Sequence, residues 1–377
     1  MIVGGERHLE NLGIEAGRFA VLRGDLSEAM GRIEEADGPV VVLASGDPGF
    51  FGIVRLIRER FGGEGLRVQP GLSSVALAFA RAGLSWEDAA VVSAHGRDGR
   101  SPRRAVNVCR ACPKVAVLTS PAFGPAELAH ELEGMGRSFV VAERLGEGDE
   151  RLFRGDAAAV VGQAWRDPNV VLVLDEDRAT GGKTWISGLH REPGGWAPPE
   201  SAFEHRSGMI TKPEVRSLVL SRLGPGLGDL VWDVGAGSGS VAIECARHGA
   251  AAVAVERDSE SCTRIRRNAA RHGVYAEVIE GEAPGALHAL PDPDAVFVGG
   301  TGGGFEEIVR FAAVRARRAV VLTLISLERV VPAGEILEDC GLEVETTFLQ
   351  ASRVKGVGAL HRLASETPVF VVTGSRP

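Results

Sequence analysis

Short apolar runs alternate along the chain with longer segments in which apolar positions recur every three or four residues. The runs, bounded by polar or glycine-rich turns, predict buried strands, and the longer spacing predicts amphipathic helices. In the first half, Val40–Ala44, Val115–Thr119, Phe139–Ala142 and Val170–Leu174 are expected strands, with helices at Ser74–Ala82 and Pro125–Met135. The second half is more regular. Strands are expected at Leu230–Val234, Ala251–Glu256, Ala276–Glu280, Ala295–Val298, Ala319–Leu324, Leu342–Thr347 and Val369–Thr373, with the clearest helices at Ser259–His272 and Phe305–Val314. Strands separated by helices in this way predict a mostly parallel, doubly wound sheet covered on both faces. Between the halves, "DEDRATGGKTWISGLHREPGGWAPPESAFEHRSG" breaks the alternation with glycine, proline and charge. It reads as a linker or ordered strap, part of which packs through Trp185 and Trp196. The expected division is an α/β domain over 1–175, a linker over 176–203, and a second α/β domain over 204–377.

Composition narrows the class. A chain of 377 residues is long enough for two ordinary domains, and 44% apolar with 24% charged residues suits a soluble globular protein. The net charge of −8 argues against broad binding to nucleic acid or anionic membrane, but leaves room for a local basic pocket. No apolar stretch reaches the roughly 18 residues of a membrane span, and "MIVGGERHLE" lacks the pattern of a signal peptide. Five cysteines without a regular framework point to a reducing cytoplasm. Cys109 and Cys112 form one CxxC, but no second pair follows to complete a tetrahedral site, so no metal is expected.

The chemistry concentrates in "LVWDVGAGSGSVAIECA", Leu230 to Ala246. Gly235, Gly237 and Gly239, alternating with Ala236 and Ser238, follow a strand and open a helix. Such a loop lets backbone approach a ligand at the carboxyl end of a doubly wound sheet. Glu256 ends the next strand, where a carboxylate grips two ribose hydroxyls. Asp233, just before the glycines, would repel a pyrophosphate and suits a ligand carrying an ammonium and a sulfonium. It disfavours an NAD-dependent oxidoreductase. Glu282, after the third strand, is placed to accept from an adenine amino group. Together these residues predict a site for S-adenosylmethionine. After the fourth strand, "DAVFVGGTGGG" (Asp294–Gly304) supplies space rather than a catalytic side chain. That suits an acceptor that is itself a carbon nucleophile and needs mainly positioning. An RNA or protein methyltransferase would keep the donor motif but need another acceptor surface. Arg353, Lys355, His361 and Arg362 cluster before the last strand, as either a solvated basic loop or a clamp for a polycarboxylate. Arg353 and Lys355 are the candidate catalytic, substrate-facing cations, with Arg216 a weaker one.

The ordered motifs "MITKPEVRSLVLSRL", "VWDVGAGSGSVAIECA", "GEAP", "DAVFVGGTGGGFEEI" and "PVFVVTGS" make the second domain resemble the decarboxylating precorrin methyltransferases of cobalamin biosynthesis. The resemblance implies donor contacts at Thr211, Gly235–Gly239, Glu256 and Glu282. "LASGDPGFFGIVRLI", "VQPGLSSVALAFARAGLSWEDAAVVSAHGR" and "VAERLGEGDERLFRG" make the first domain resemble the tetrapyrrole methylases. This implies that the turn with Gly46 and Asp47, together with Ser73 and Ser74, lines a second donor and substrate cleft. The pair implies methylation of meso carbons of a reduced tetrapyrrole, loss of an acetate carboxyl, and self-association through the C-terminal domain. The tetrapyrrole methylases carry a further strand and a GxGPG loop ahead of the segment reading "IVGGERHLE" here. Their lack implies a weak or absent first-domain methylation.

Overall fold

The computed structural model describes all residues except 7, 9–11, 13–18, 23–25, 96–99, 180–186, 189–194, 207, 359 and 377. The chain divides into two compact units, one of Met1–Trp86, Val140–Phe153 and Arg166–Val171, the other of Glu87–Phe139, Arg154–Trp165 and Leu172–Pro377. A short sheet joins β1 (Ile2–Gly4), β2 (Phe19–Val21) and β3 (Val41–Val42) in the order β2-β1-β3, with both pairings parallel. A second sheet holds β4 (Ala90–Ser93), β5 (Lys114–Leu118), β6 (Ser138–Glu143), β7 (Arg151–Asp156) and β8 (Asn169–Leu174) in the order β4-β5-β8-β6-β7. The apolar pattern locates β3, β5, β6 and β8 but misses β1, β2, β4 and β7. These are three or four residues long or, in β7, expose every second residue.

The larger unit contains the sheet that positions the site. Its strands are β9 (Leu230–Val234), β10 (Ala251–Glu256), β11 (Glu277–Glu280), β12 (Ala295–Val298), β13 (Ala319–Leu324), β14 (Glu343–Leu349) and β17 (Val369–Ser375), in the order β11-β10-β9-β12-β13-β17-β14. Pairing is parallel from β11 to β13, and β17 runs antiparallel between β13 and β14. Both faces of its central strands are buried. Leu230, Trp232 and Val234 pack into one core with Phe305, Ile308 and Leu337, while Val231 packs into another with Val215, Val219 and Val241. This two-sided burial is why these strands read as continuous apolar runs. Strand order turns back between β9 and β12, which opens a crevice at their carboxyl ends.

The region read as a basic loop is a two-stranded antiparallel hairpin, β15 (Ser352–Val357) and β16 (Leu360–Ser365), inserted between β14 and β17. Trp185 lies outside the described residues, and Trp196 is 69% exposed, so it does not anchor the strap. The anchoring is polar. Ala197 N–H donates to Glu244 Oε2 at 2.6 Å, and Arg216 donates to the Pro198 carbonyl.

Candidate active site

A cavity of about 1020 Å³ opens at the carboxyl ends of β9, β10 and β12. Thr211, Gly235, Ala236, Gly237, Ser238, Glu256 and Glu282 all line it, so residues spread over more than seventy positions meet around one space. Gly235 has a φ of +71°, and a Cβ there would stand 2.3 Å from the Gly300 carbonyl oxygen. No residue with a side chain fits unless the loop after β12 moves. Gly239 does not line the cavity. It caps the helix Ser240–Arg247 in the left-handed conformation, and its bare Cα clears Ile265, which a Cβ would meet at 2.7 Å. Glu256 accepts from the Gly237 N–H at 2.8 Å and from the Asp258 N–H at 3.0 Å. Its carboxylate therefore braces the glycine loop, with one backbone donor on each oxygen, while lining the cavity. Glu282 is exposed at the rim and pairs with Arg257 at 3.2 Å.

Asp233 is placed differently from its expected contact with a ligand ammonium. Strand alternation puts it on the Val231 face of β9, beneath the helix Ser240–Arg247, where it is 1% exposed and does not line the cavity. Oδ2 accepts from the Ala242 N–H at 2.9 Å, while Oδ1 is buried without a partner among the described residues. Burial pushes this carboxyl up to about 7; the Ala242 hydrogen bond opposes the rise and the Glu256 charge adds to it. Asp233 thus acts on the loop from below, through the first turn of the helix that the loop opens.

Thr211 contributes its place at the rim, and its carbonyl accepts from Arg216 Nη1 at 2.5 Å. Arg216 itself is fully buried and paired with Glu244, which corrects its reading as a substrate cation. Arg353 lies on β15, in a smaller recess beside the cavity, with its charge met by Glu214 at 2.7 Å and Glu366 at 3.6 Å. Lys355, opposite Arg362 in the hairpin, is exposed and outside the cavity. The geometry thus keeps both hairpin cations out of the donor space.

In the smaller unit the two motif turns come together. Gly46 has a φ of +69°, and a Cβ built on it would stand 3.4–3.6 Å from the backbone of Leu72, Ser73 and Ser74; a Cβ at Gly71 would meet the Gly46 carbonyl oxygen at 2.7 Å. Asp47 accepts from the Gly49 N–H, and Ser73 caps the helix Ser74–Ala82 by accepting from Ala76 N–H. Both side chains satisfy their own turns here.

Two cavity residues escape the sequence reading, Arg257 and Ile325, while Met209, Thr301 and Gly302 fall within stretches it singled out without being named. The missed signal was positional, since Arg257 and Ile325 follow the carboxyl ends of β10 and β13, where such sheets bind ligands.

Residues 201–375 match the family described as precorrin methyltransferase domain, and residues 13–161 match the tetrapyrrole (corrin/porphyrin) methylases. A precorrin-6Y C(5,15)-methyltransferase (decarboxylating) of Sinorhizobium sp is 38% identical over 327 residues, covering 85% of this chain and 76% of that relative. The chain belongs to this family. The pattern of relatives extends to shorter proteins. A probable cobalt-precorrin-6B C(15)-methyltransferase (decarboxylating) of Pyrobaculum calidifontis is 35% identical over 46% of this chain and 93% of its own length. A cobalt-precorrin-7 C(5)-methyltransferase of Salmonella typhimurium is 35% identical over 46% of this chain and 86% of its own. Membership assigns the two α/β parts as a tetrapyrrole methylase domain and a Rossmann-like domain of the S-adenosylmethionine-dependent methyltransferase type.

The cavity fits that donor. Of the carboxylates that line it, Asp258, Glu282 and Glu366 have an arginine beside them, whereas Glu256 forms no ion pair among the described residues and is suited to a ligand's ribose hydroxyls rather than to two phosphates. The glycine cradle leaves the loop backbone open to close approach.

Proposed function

We propose that this chain transfers methyl groups from S-adenosylmethionine to meso carbons of a precorrin or cobalt-precorrin tetrapyrrole and removes the carboxyl of one acetate side chain. The observation that carries this reading is the convergence of Thr211, the glycine loop, Glu256 and Glu282 on one cavity at the strand switch point. When bound, the donor supplies a sulfonium methyl that a carbon nucleophile displaces in line. Glu256 orients the donor's ribose, and Gly235, Ala236, Gly237 and Ser238 hold its remaining polar groups by backbone and short side chains. The Gly299–Gly304 stretch leaves room for a broad acceptor and offers no general base, so the protein's contribution is alignment and electrostatics. On decarboxylation the carbon–carbon bond electrons pass into the conjugated macrocycle, and a proton takes the place of the lost carbon dioxide. In the smaller unit we assign Gly46, Asp47, Ser73 and Ser74 to a second donor site. The same reading places the enzyme in the cytoplasm and makes it a homo-oligomer, with domains over 1–175 and 204–377.

The test is mass spectrometry of precorrin-6Y incubated with the chain and donor. Methyl additions together with loss of carbon dioxide support the reading, and an unchanged tetrapyrrole rejects it. Thermal shifts add a second readout: S-adenosylhomocysteine should stabilise the chain, and stabilisation by NAD alone would overturn the donor assignment.

A further inference from the structure

The hairpin cations stand apart from the cavity, so the carboxylates of a tetrapyrrole must be read elsewhere. Among the described residues, three cations line the cavity. Lys212 is paired with Glu200 at 2.7 Å and Arg257 with Glu282 at 3.2 Å, while Arg206 has the charge of Asp258 beside it. A further cation, Arg329, does not itself line the cavity; it is exposed in the first turn of the helix Leu327–Asp339 and reaches back to the acceptor-side loop at the cavity's edge. Its Nη1 donates to Thr301 Oγ1 at 3.1 Å and its Nη2 to the Gly302 carbonyl at 3.4 Å, both residues lining the cavity. Its guanidinium lies 5.2 Å over the Phe305 ring. No carboxylate of the described residues forms an ion pair with it. A stacked, directionally tethered guanidinium with an unspent charge is suited to bidentate capture of a carboxylate.

The surroundings suit a large, flat ligand. Met209, Ile325 and Leu327 are 60%, 73% and 65% exposed, and the first two line the cavity. Apolar side chains this open beside a polar rim mark a surface that a ligand covers.

We propose that Arg329 binds a peripheral carboxylate of the tetrapyrrole while Met209, Ile325 and Leu327 support the macrocycle's apolar face. The assignment rests on the methyltransferase reading above and deepens it. The carboxylate held is one that the reaction keeps, because a guanidinium stabilises the ionised ground state and would oppose loss of carbon dioxide from a group bound to it.

The test compares wild type, Arg329→Ala and Arg329→Lys with precorrin-6Y as acceptor, and titrates each with S-adenosylhomocysteine. Arg329→Ala should raise the KM for the tetrapyrrole tenfold or more, with donor affinity unchanged and a smaller kcat effect. The lysine variant should recover part of the loss, and the penalty should shrink at high salt. An unchanged tetrapyrrole KM would overturn the proposal. So would an equal fall in donor affinity, which would make Arg329 a brace for the Thr301–Gly302 loop. Wild-type enzyme that binds S-adenosylhomocysteine but leaves precorrin-6Y untouched would instead overturn the substrate reading, and this proposal with it.

Discussion

Glu256 serves the site in two ways: it faces the cavity and fixes the glycine loop through the Gly237 N–H. Glu256→Ala removes both and should weaken S-adenosylhomocysteine binding by about 1–3 kcal/mol, the scale of lost charge-assisted hydrogen bonds. Glu256→Gln should lose less, since its amide oxygen still accepts from one backbone donor. Calorimetric titration decides, and unchanged affinity in the alanine variant would remove the ribose role. Asp233 makes a different prediction. Its carboxyl keeps its proton to about pH 7 when folded and releases it near 3.8 when unfolded. Between these values the folded chain binds more protons than the unfolded one, so stability falls as pH rises through that window. The full effect is on the order of 4 kcal/mol for a shift of about three pH units. Asp233→Asn cannot ionise, so denaturation midpoints measured from pH 4 to 7 should move steadily in the variant's favour relative to wild type. A constant gap would show that the carboxylate is not carrying a burial cost. That an acid precedes the glycines was legible in the sequence. Its orientation was not, because strand alternation decides which face a residue takes, and β9 is buried on both.

Between elements, the decisive contact is the approach of the loop after β9 to the loop after β12. Gly235→Ala would bring a Cβ against the Gly300 carbonyl and occupy a left-handed backbone that costs a side chain about 1–2 kcal/mol. Relief requires the acceptor-side loop to shift, so donor affinity should fall tenfold or more. Gly237→Ala is the control: its φ is also positive, at +56°, but a Cβ there meets nothing within 4 Å. It should show the strain without the displacement. Equal losses in the two variants would mean that loop contact is irrelevant to binding. The glycines were visible as a motif, whereas their differing reasons belong to tertiary approach. Likewise β9, β10, β12, β13 and β17 of the seven-stranded sheet were legible because burial on both faces writes them as apolar runs, whereas the edge strands β11 and β14 are only partly buried. The hairpin β15–β16, exposed along its length, carries no such signature, and its arginines and lysine made it look like a loop.

For the whole molecule, that hairpin leaves several apolar side chains uncovered in a single copy of the chain. Val354 and Leu363 face each other across its strands, as do Val357 and Leu360 near its tip, and all four are more than half exposed. An isolated two-stranded ribbon is marginal in water and needs a further surface against its apolar side chains. We propose that self-association supplies one, with each copy presenting the same ribbon to its partner. Replacing Val354 and Leu363 together by Glu puts two charges on one face of the ribbon while leaving the donor cavity, which neither residue lines, intact. The expected outcome by light scattering is dissociation to a smaller species at micromolar concentration, with S-adenosylhomocysteine affinity retained. A wild-type chain that is already monomeric would reject the homo-oligomer. A variant that keeps its assembly state would move the interface away from the hairpin. Loss of donor affinity together with dissociation would show that the cavity depends on the neighbouring copy, a dependence that the enclosure of Thr211, the glycine loop, Glu256 and Glu282 within one chain argues against.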